Sequence, residues 1–290
     1  MILQWKSDII LLHGKNRRKE KMNLGLCTMA SSSSGNCYLI KSDKTNILLD
    51  AGIACARVVR NFEALDADFK ELNGVLLTHE HIDHVRGVKT IHKKAPKAKF
   101  YATEGTAQSI EDKGVKISEE RLNIIGQGEM FNIDDIEVTA FEIPHDSKEP
   151  VAYSFCKNEK KITIVTDAGE ITPTIENAIM DSDILVIEAN HEVNILLYGR
   201  YPYNVKRRIL SDRGHLSNEA TGKCICNFLK NQTVPKTPHV LLAHLSKENN
   251  TPEQAMLTIS NILEESDFYV GKHLKMEVVQ QQEMGELIII

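Results

Sequence analysis

The segment Thr78–His84 contains three imidazoles and the Asp83 carboxylate within six residues, in the order His79, His81, Asp83 and His84. It follows the apolar run Gly74–Leu77, which indicates a buried strand. Alternate residues of an extended chain point to the same side, so His79 and His81 can bind one ion together. Asp83 and His84 point in other directions, where the chain enters a helix, and can contribute the first ligands of a second metal site. This spacing favours a divalent metal over a purely structural role for the histidines.

Further side chains of the same chemical types follow other apolar segments. Asp50 and Asp167 each begin an Asp-Ala-Gly sequence, His145 follows Pro144, and His244 follows the apolar run 239–243. His145 is the first candidate downstream for the missing third ligand of the first ion, whereas Asp50 fits either a turn or a buried acceptor. Strands and helices alternate throughout, which predicts one layered α/β domain with its site along one sheet edge.

Composition sets broad limits on the function. The chain has 290 residues, of which 42% are hydrophobic, and this suffices for one large domain or two small ones. A formal net charge of -5 argues against a protein that coats nucleic acid but allows a local basic groove. Basic residues do cluster at 93–99, where a solvated surface is the favoured interpretation, and at 200–213.

Further features bear on the cellular location of the protein and on the extent of its folded domain. The 6 cysteines lack C-x-x-C spacing and predict reduced, mostly buried thiols. Because no apolar run is long enough to span a membrane, we expect a cytoplasmic protein that does not bind membranes. Residues 1–21 contain a short apolar run followed by a basic run. We therefore expect them to lie outside the fold and 22–290 to form the domain.

The order Asp, His-x-His-x-Asp-His, His, Asp, His resembles the metallo-β-lactamase family from Met22 to the C-terminus. This resemblance implies an α/β fold, a four-layered αββα sandwich. It also implies two divalent ions, with zinc, manganese and iron all chemically suitable. A hydroxide held between them would be the nucleophile. The implied ligands are His79, His81 and His145 for the first ion, Asp83, His84 and His244 for the second, Asp167 as the bridge and Asp50 as an acceptor that orients the motif.

Other segments resemble the YycJ (WalJ) family of bacterial exonucleases and, more distantly, PhnP-like phosphodiesterases. These segments are 31–37, 188–191, 199–202 and 211–218, although Ser32 stands where the family usually has Gly. The resemblance implies phosphodiester hydrolysis, with 5'-3' exonuclease action on double-stranded DNA in DNA repair. No Cys stands at position 167, which argues against β-lactam hydrolysis.

The same resemblance suggests roles beyond metal binding. His215 becomes a candidate general acid, although a His in such a loop can also be merely exposed. Asp83 is a candidate catalytic residue as well as a ligand. The candidate substrate-binding residues are Ser33, Ser34, Asn36, Asn190 and His191, with Arg200, Lys206 and Arg207 as candidate contacts to a nucleic-acid backbone.

Two alternatives to a nuclease stay open. One is a hydrolase of a small phosphodiester, thioester or lactone. The other is a metal-binding regulatory protein without turnover, which the complete ligand set disfavours. The sequence leaves the oligomeric state open.

Overall fold

A computed structural model describes residues 24–281 and 283–290, so the extension expected at 1–21 lies outside the described residues. Two sheets of seven strands each form the centre of the described chain. The first sheet contains β1 (Gly25–Ser32), β2 (Gly35–Lys41), β3 (Asn46–Leu49), β4 (Gly74–Leu76), β5 (Lys99–Ala102), β6 (Leu122–Ile124) and β14 (Ile288–Ile289). Its order is β14-β1-β2-β3-β4-β5-β6, and β3 to β6 run parallel.

The second sheet repeats this plan. It contains β7 (Met130–Ile133), β8 (Ile136–Glu142), β9 (Val151–Lys157), β10 (Lys160–Val165), β11 (Ile184–Glu188), β12 (His239–Ala243) and β13 (Lys275–Val278). Its order is β13-β12-β11-β10-β9-β8-β7, with β10 to β13 parallel. The carboxyl ends of the parallel strands in a sheet lie at one edge, where loops can bring polar side chains together.

Helices cover both outer faces. They are α1 (Cys55–Ala64), α2 (Ile82–Val85), α3 (Val88–Lys94), α4 (Glu104–Asp112), α5 (Pro173–Ile179), α6 (Val193–Tyr198), α7 (Tyr203–Ile209), α8 (Asn218–Lys230) and α9 (Pro252–Glu264). In the described residues no helix is both long and apolar enough to cross a membrane. All six cysteines lie in the described chain as free thiols, and all except the half-buried Cys156 are buried.

Three apolar clusters separate the layers. In β3, Leu48 belongs to the cluster beneath α1 and α3, whereas Ile47 and Leu49 face the second sheet. In β11, Leu185 packs toward α8 and α9 while Val186 faces the first sheet. Both faces of these strands are therefore buried, as their continuous apolar sequences require. The layer order is helix, sheet, sheet, helix, and the predicted αββα sandwich is confirmed.

The helix expected at Val85–Lys93 is instead two helices, α2 and α3, that meet at Gly87. The Gly87 amide donates to the Ala51 carbonyl at 2.6 Å, and a Cβ at this position would lie 2.5 Å from the Ile53 carbonyl oxygen. The backbone of the loop after β3 thus occupies the space that a continuous helix with an ordinary side chain here would need.

Candidate metal centre

The predicted residues of the first metal group lie together. His79 follows β4, His81 precedes α2, and His145 follows β8, so the group combines loops of both sheets. One ligand atom from each of the three side chains lies within 4.8 Å of the others. His79 and His145 are buried. The expectation that the site lies along one sheet edge was therefore too narrow, because the loops of two facing sheets build it.

A second group adjoins the first. Asp83, His84 and His244 also bring one ligand atom each within 4.8 Å of the others. His84 Nε2 lies 3.2 Å from Asp167 Oδ2, and His145 Nε2 lies 3.9 Å from Asp167 Oδ1. One carboxylate therefore faces a histidine of each group, which is the position that a bridging ligand requires.

Unpaired buried atoms show that these residues fit a cation. His79 Nε2 and His244 Nε2 are buried and have no hydrogen-bond partner in the described chain. Leaving a buried polar atom unsatisfied costs on the order of 1–3 kcal/mol. Imidazole nitrogens and carboxylate oxygens are ligands of zinc, manganese and iron, so divalent ions would satisfy the atoms that the protein leaves unpaired.

Three strand ends share an unusual backbone conformation. Asp50, Asp167 and His244 have φ values of 59°, 59° and 54°, in the left-handed region that disfavours residues other than glycine. Each follows the apolar strand that precedes it directly or by one residue, and each is buried. This backbone conformation costs about 1 kcal/mol or more per residue, so it persists only where the surrounding fold enforces it. Residues in such conformations cluster at functional sites.

Asp50, directly after β3, connects this strand to the histidine motif. Its carboxylate accepts a hydrogen bond from the Thr78 amide at 2.9 Å and lies 2.7 Å from His84 Nδ1. A proton on Nδ1 leaves the Nε2 lone pair directed at a metal, so Asp50 stands where an orienting acceptor was predicted. Burial opposes protonation, but the carboxylates of Asp50 and Asp167 raise the pKa of His84 well above its usual value. A bound divalent ion would balance the charge of these carboxylates in place of a protonated His84.

Glu188, at the end of β11, was not predicted as a site residue. Its Oε1 lies 2.8 Å from His215 Nδ1 and 2.7 Å from His244 Nδ1, and its Oε2 accepts from the Ala168 amide at 3.1 Å. Although burial opposes ionisation, His215 and His244 lower the pKa of Glu188 to about 2. The signal that could have revealed it is the one used for Asp50, an acidic residue at the end of an apolar strand.

His215 lies beside the metal groups. Its ring centroid is 5.4 Å from that of His145 and from that of His244. One atom each of Asp167, Glu188, His215 and His244 also falls within 4.8 Å. However, the Nδ1 atoms of both histidines are at hydrogen-bond distance from Glu188, so this cluster is a hydrogen-bond network. The hydrogen bond to Glu188 uses Nδ1 of His215, and Nε2 has no hydrogen-bond partner within the described ranges.

Comparison with known proteins identifies the family of this chain. A family described as "Beta-lactamase superfamily domain" matches residues 45–235. The Exodeoxyribonuclease YycJ of Bacillus anthracis is 35% identical over 251 residues, which cover 87% of this chain and 93% of the relative. The Exodeoxyribonuclease WalJ of Streptococcus pneumoniae is 35% identical over 249 residues, 85% of this chain and 91% of the relative. The chain belongs to the YycJ/WalJ family of the β-lactamase superfamily. This confirms the resemblance seen in the sequence, and the protein is a metal-dependent hydrolase.

A solved structure extends the comparison at the level of the fold. The YycJ/WalJ-family chain superimposes with a TM-score of 0.62 on a diphosphatase from the PhnP family. The two are 12% identical, and the match covers 92% of this chain and 98% of the other. At this identity the likeness shows a shared fold, and it agrees with the more distant resemblance predicted from the sequence.

The candidate substrate-binding residues of this YycJ/WalJ-family member differ in accessibility. Ser33 and Ser34 are exposed in the turn between β1 and β2. Asn36 is buried, with Nδ2 3.0 Å from His84 Nε2. Asn190 is buried and donates to the His244 carbonyl at 3.0 Å. The side chains of Asn36 and Asn190 therefore contact the predicted metal ligands, and only the two serines face solvent.

His191 differs both from the exposed serines and from the buried, hydrogen-bonded asparagines. It is buried, and neither of its ring nitrogens has a hydrogen-bond partner in the described chain. Burial lowers the pKa of His191 to about 4, so the ring is neutral at pH 7. A neutral imidazole here can both donate and accept a hydrogen bond.

Proposed function

We propose that this protein is a metal-dependent DNA exonuclease that acts 5'-3' on double-stranded DNA. The observation that supports it most is the position of His215, which Glu188 holds beside both predicted metal groups with Nε2 free. The relatives named exodeoxyribonucleases give the substrate class. In this proposal residues 22–290 form the hydrolase domain, and a DNA substrate agrees with the expected cytoplasmic location.

Two sets of residues would hold the ions. His79, His81 and His145 would bind the first, Asp83, His84 and His244 the second, and Asp167 both. Bound divalent ions would supply Lewis-acid activation of water and neutralise charge on the scissile phosphate. The unpaired nitrogens of His79 and His244 support this assignment, which leaves the identity of the metal open among zinc, manganese and iron.

His215 would deliver the proton that the leaving oxygen needs. Cleavage of a phosphodiester expels an alkoxide, which departs more easily when a positioned acid protonates it. Burial lowers the proton affinity of the ring, but the Glu188 carboxylate outweighs it and raises the pKa of His215. Nδ1 of the protonated ring would donate to Glu188 while Nε2 donates to the substrate. Glu188 is thus a positioning residue and His215 the proton donor.

A substrate panel tests this function. Metal-loaded protein is incubated with end-labelled DNA, bis(p-nitrophenyl) phosphate, a thioester and a lactone. We expect cleavage of DNA, slower hydrolysis of the chromogenic phosphodiester, and neither thioester nor lactone hydrolysis. Turnover of the thioester or the lactone with intact DNA would overturn the proposal, as would metal binding without turnover of any of the four substrates.

A further inference from the structure

Residues 193–213 form an exposed segment, called here the α6–α7 arm, that connects the end of β11 to the loop of His215. Leu196 is its one buried residue, although the arm contains two helices. Helices of six and seven residues have little intrinsic stability, so contacts elsewhere must hold them. The sequence did not predict α6, and the proposed hydrolysis uses none of the arm's side chains.

Aromatic and apolar side chains of the arm face solvent. Tyr198 is 89% exposed and Tyr203 78% exposed, and Leu197 and Leu210 are also exposed. Leu197, Tyr203 and Leu210 line a shallow groove of about 500 Å³ together with Lys206, Arg207 and Ser211. Side chains of this size face solvent at a cost, and a contiguous group of them marks an interaction surface.

The arm is also strongly basic. It contains five cations and one carboxylate, whereas the whole chain has a formal net charge of -5. The cations are Arg200, Lys206, Arg207, Arg208 and Arg213, and the carboxylate is Asp212. Positive charge next to exposed aromatic rings is the surface chemistry that binds unpaired nucleic-acid strands, because rings stack on bases while cations contact phosphates.

Three of these cations hold the arm in place. Lys206 donates to the carbonyls of Leu197 and Gly199, at 2.7 Å each, and so ties α7 to the end of α6. Arg208 forms a two-point ion pair with Asp146, next to the predicted ligand His145. Arg213 donates to the His145 carbonyl at 3.1 Å.

The other two cations are available to a ligand. Arg200 and Arg207 are exposed and have no hydrogen bond or ion pair within the described ranges. Arg207 lines the groove that contains Tyr203, and Arg200 lies between Tyr198 and Tyr203 in the sequence, so phosphates of a strand lying over the rings could reach them. The surface thus combines two free cations with two exposed rings.

The arm is fixed relative to the site. The His215 amide donates to the Ile209 carbonyl, at the end of α7, at 3.0 Å. A Cβ at Gly214 would lie 2.2 Å from the same oxygen, so only glycine allows this approach. A Cβ at Gly169 would lie 2.3 Å from the Asp212 carbonyl carbon, which places the arm against the loop after Asp167. A strand bound to the arm would therefore lead to His215.

We propose that the α6–α7 arm binds an unpaired strand of the nucleic-acid substrate, with Tyr198 and Tyr203 stacking on bases and Arg200 and Arg207 contacting phosphates. This inference rests on the proposed function and deepens it by naming where the strand lies. A second copy of this chain is a poorer occupant, because a closed dimer through this surface would place the two sets of cations together.

Binding and cleavage by matched variants test the arm. The variants are Tyr198→Ala with Tyr203→Ala, and Arg200→Ala with Arg207→Ala. The controls are Tyr269→Ala and Arg60→Ala, which change exposed residues of the same types outside the arm. Affinity is measured by anisotropy with a fluorescein-labelled phosphorothioate strand of about 15 nucleotides, within the usual range of strand-binding sites. Cleavage is measured on DNA and on bis(p-nitrophenyl) phosphate.

We expect the tyrosine variant to bind the strand about 30-fold or more weakly, as the loss of two stacked bases would require. The arginine variant should bind more weakly and show a slope of log affinity against log salt that is smaller by about 1 to 2. Both should hydrolyse bis(p-nitrophenyl) phosphate like wild type, because that substrate is too short to reach the arm. The control variants should behave like wild type throughout.

Several outcomes would overturn the arm's role. These are strand affinity equal to wild type in both variants, an equal loss on the small phosphodiester, or weakening that appears with blunt duplex DNA and not with single strands. The variants should lose affinity for single-stranded DNA and for RNA to the same extent, because aromatic rings stack on the faces of the bases in both. Failure of wild type to cleave any DNA while it binds the strand would instead count against the proposed function alone.

Discussion

Glu188 is the residue that connects the two kinds of chemistry in this site. Its Oε1 lies within 2.8 Å of Nδ1 of both His215 and His244, so one buried carboxylate orients a proposed proton donor and a proposed metal ligand. Such partners fix the tautomer of an imidazole and strengthen its free nitrogen as a donor or ligand. A single substitution should therefore disturb metal binding and proton transfer together.

Glu188→Gln separates these two effects. We expect metal affinity to fall about 10- to 100-fold, as for other residues that support metal ligands. In either orientation of the amide, its NH₂ faces N–H donors, either the two imidazoles or the Ala168 amide, and cannot accept from them. Excess metal should restore the metal content, measured by mass spectrometry, but not the cleavage rate, since His215 remains misoriented. Glu192→Gln, which changes a nearby carboxylate that accepts from Asn218 and Thr258, should keep both. Full activity of Glu188→Gln at saturating metal would contradict the role given to Glu188.

Substitution of the two histidine types should give contrasting results. His81→Ala removes a predicted ligand and should abolish metal loading and activity. His215→Ala should retain its metal and lose about 10²- to 10⁴-fold in cleavage rate, the usual contribution of a positioned acid. His273→Ala, outside the site, serves as the control. The measurements are metal content and DNA cleavage under single-turnover conditions. His215→Ala as active as wild type would exclude His215 as the proton donor.

Much of the site followed from the strand-end pattern. The pattern placed Asp50, His145, Asp167 and His244 with the histidine motif, and the structure brings these residues together. Glu188 satisfies the same pattern, but its role depends on His215 and His244, which lie 27 and 56 positions further along the chain. The contact of Asn36 with His84 joins residues 48 positions apart and depends on how β2 packs against α2, so no local pattern contains it.

At the level of elements, Asp135 helps to join the ends of the two sheets opposite the site. Asp135, in the turn between β7 and β8, accepts from Ser42 and Thr45 in the turn between β2 and β3, at 2.8 and 2.6 Å. It also pairs with Lys157 at 2.9 Å. Partial burial opposes ionisation, but the hydrogen bonds from Thr45, Lys157 and Ser42 lower the pKa of Asp135 to about 2.

Asp135→Asn should destabilise the fold in a pH-dependent way. A carboxyl with a depressed folded-state pKa stabilises the protein above its unfolded value, near 4, and loses that contribution as pH falls toward 2. We expect a loss of about 1–2 kcal/mol in unfolding free energy at pH 7, discounted for the partial exposure of the side chain. The difference from wild type should shrink between about pH 4 and pH 2 in urea unfolding.

The exposed Glu137 of β8, whose side chain has no hydrogen bond or ion pair in the described residues, provides the control, and Glu137→Gln should change stability by less than about 0.5 kcal/mol at pH 7. A destabilisation by Asp135→Asn that stays constant down to pH 2 would show that packing, rather than the ionised carboxylate, makes the contribution.

Element types were easier to predict than their ends. Strands such as β3, β10, β11 and β12 are buried on both faces, and their apolar runs identified them. The break between α2 and α3 depends on the Ala51 and Ile53 carbonyls, which belong to a distant loop. The six-residue α6 was missed because it is shorter than two turns, and periodicity needs a longer window.

At the scale of the whole molecule, the two sheets meet at the metal groups, so metal binding and folding should be coupled. Predicted ligands come from loops after β4, β8, β10 and β12, and both sheets contribute. An ion that binds the folded chain and not the unfolded chain stabilises it by about 2.7 kcal/mol when present at about 100 times its Kd.

Metal addition to chelator-stripped protein should therefore raise Tm. We expect an increase of about 5 °C or more with zinc or manganese, measured by calorimetry. His81→Ala should show a much smaller increase, while His215→Ala should respond like wild type, since it keeps every predicted ligand. An unchanged wild-type Tm at saturating metal would contradict the proposed coupling.

Metal-dependent exonuclease activity is tested most directly by cleavage of DNA with stripped protein to which each metal is returned in turn. Duplex DNA labelled at the 5' end or at the 3' end is incubated with protein supplemented with zinc, manganese or iron. The proposed activity requires no cleavage without metal and, with at least one of the three, early release of the 5' label while the 3'-labelled strand shortens progressively. Intact DNA under every metal, or cleavage that persists unchanged in the stripped protein, would contradict it.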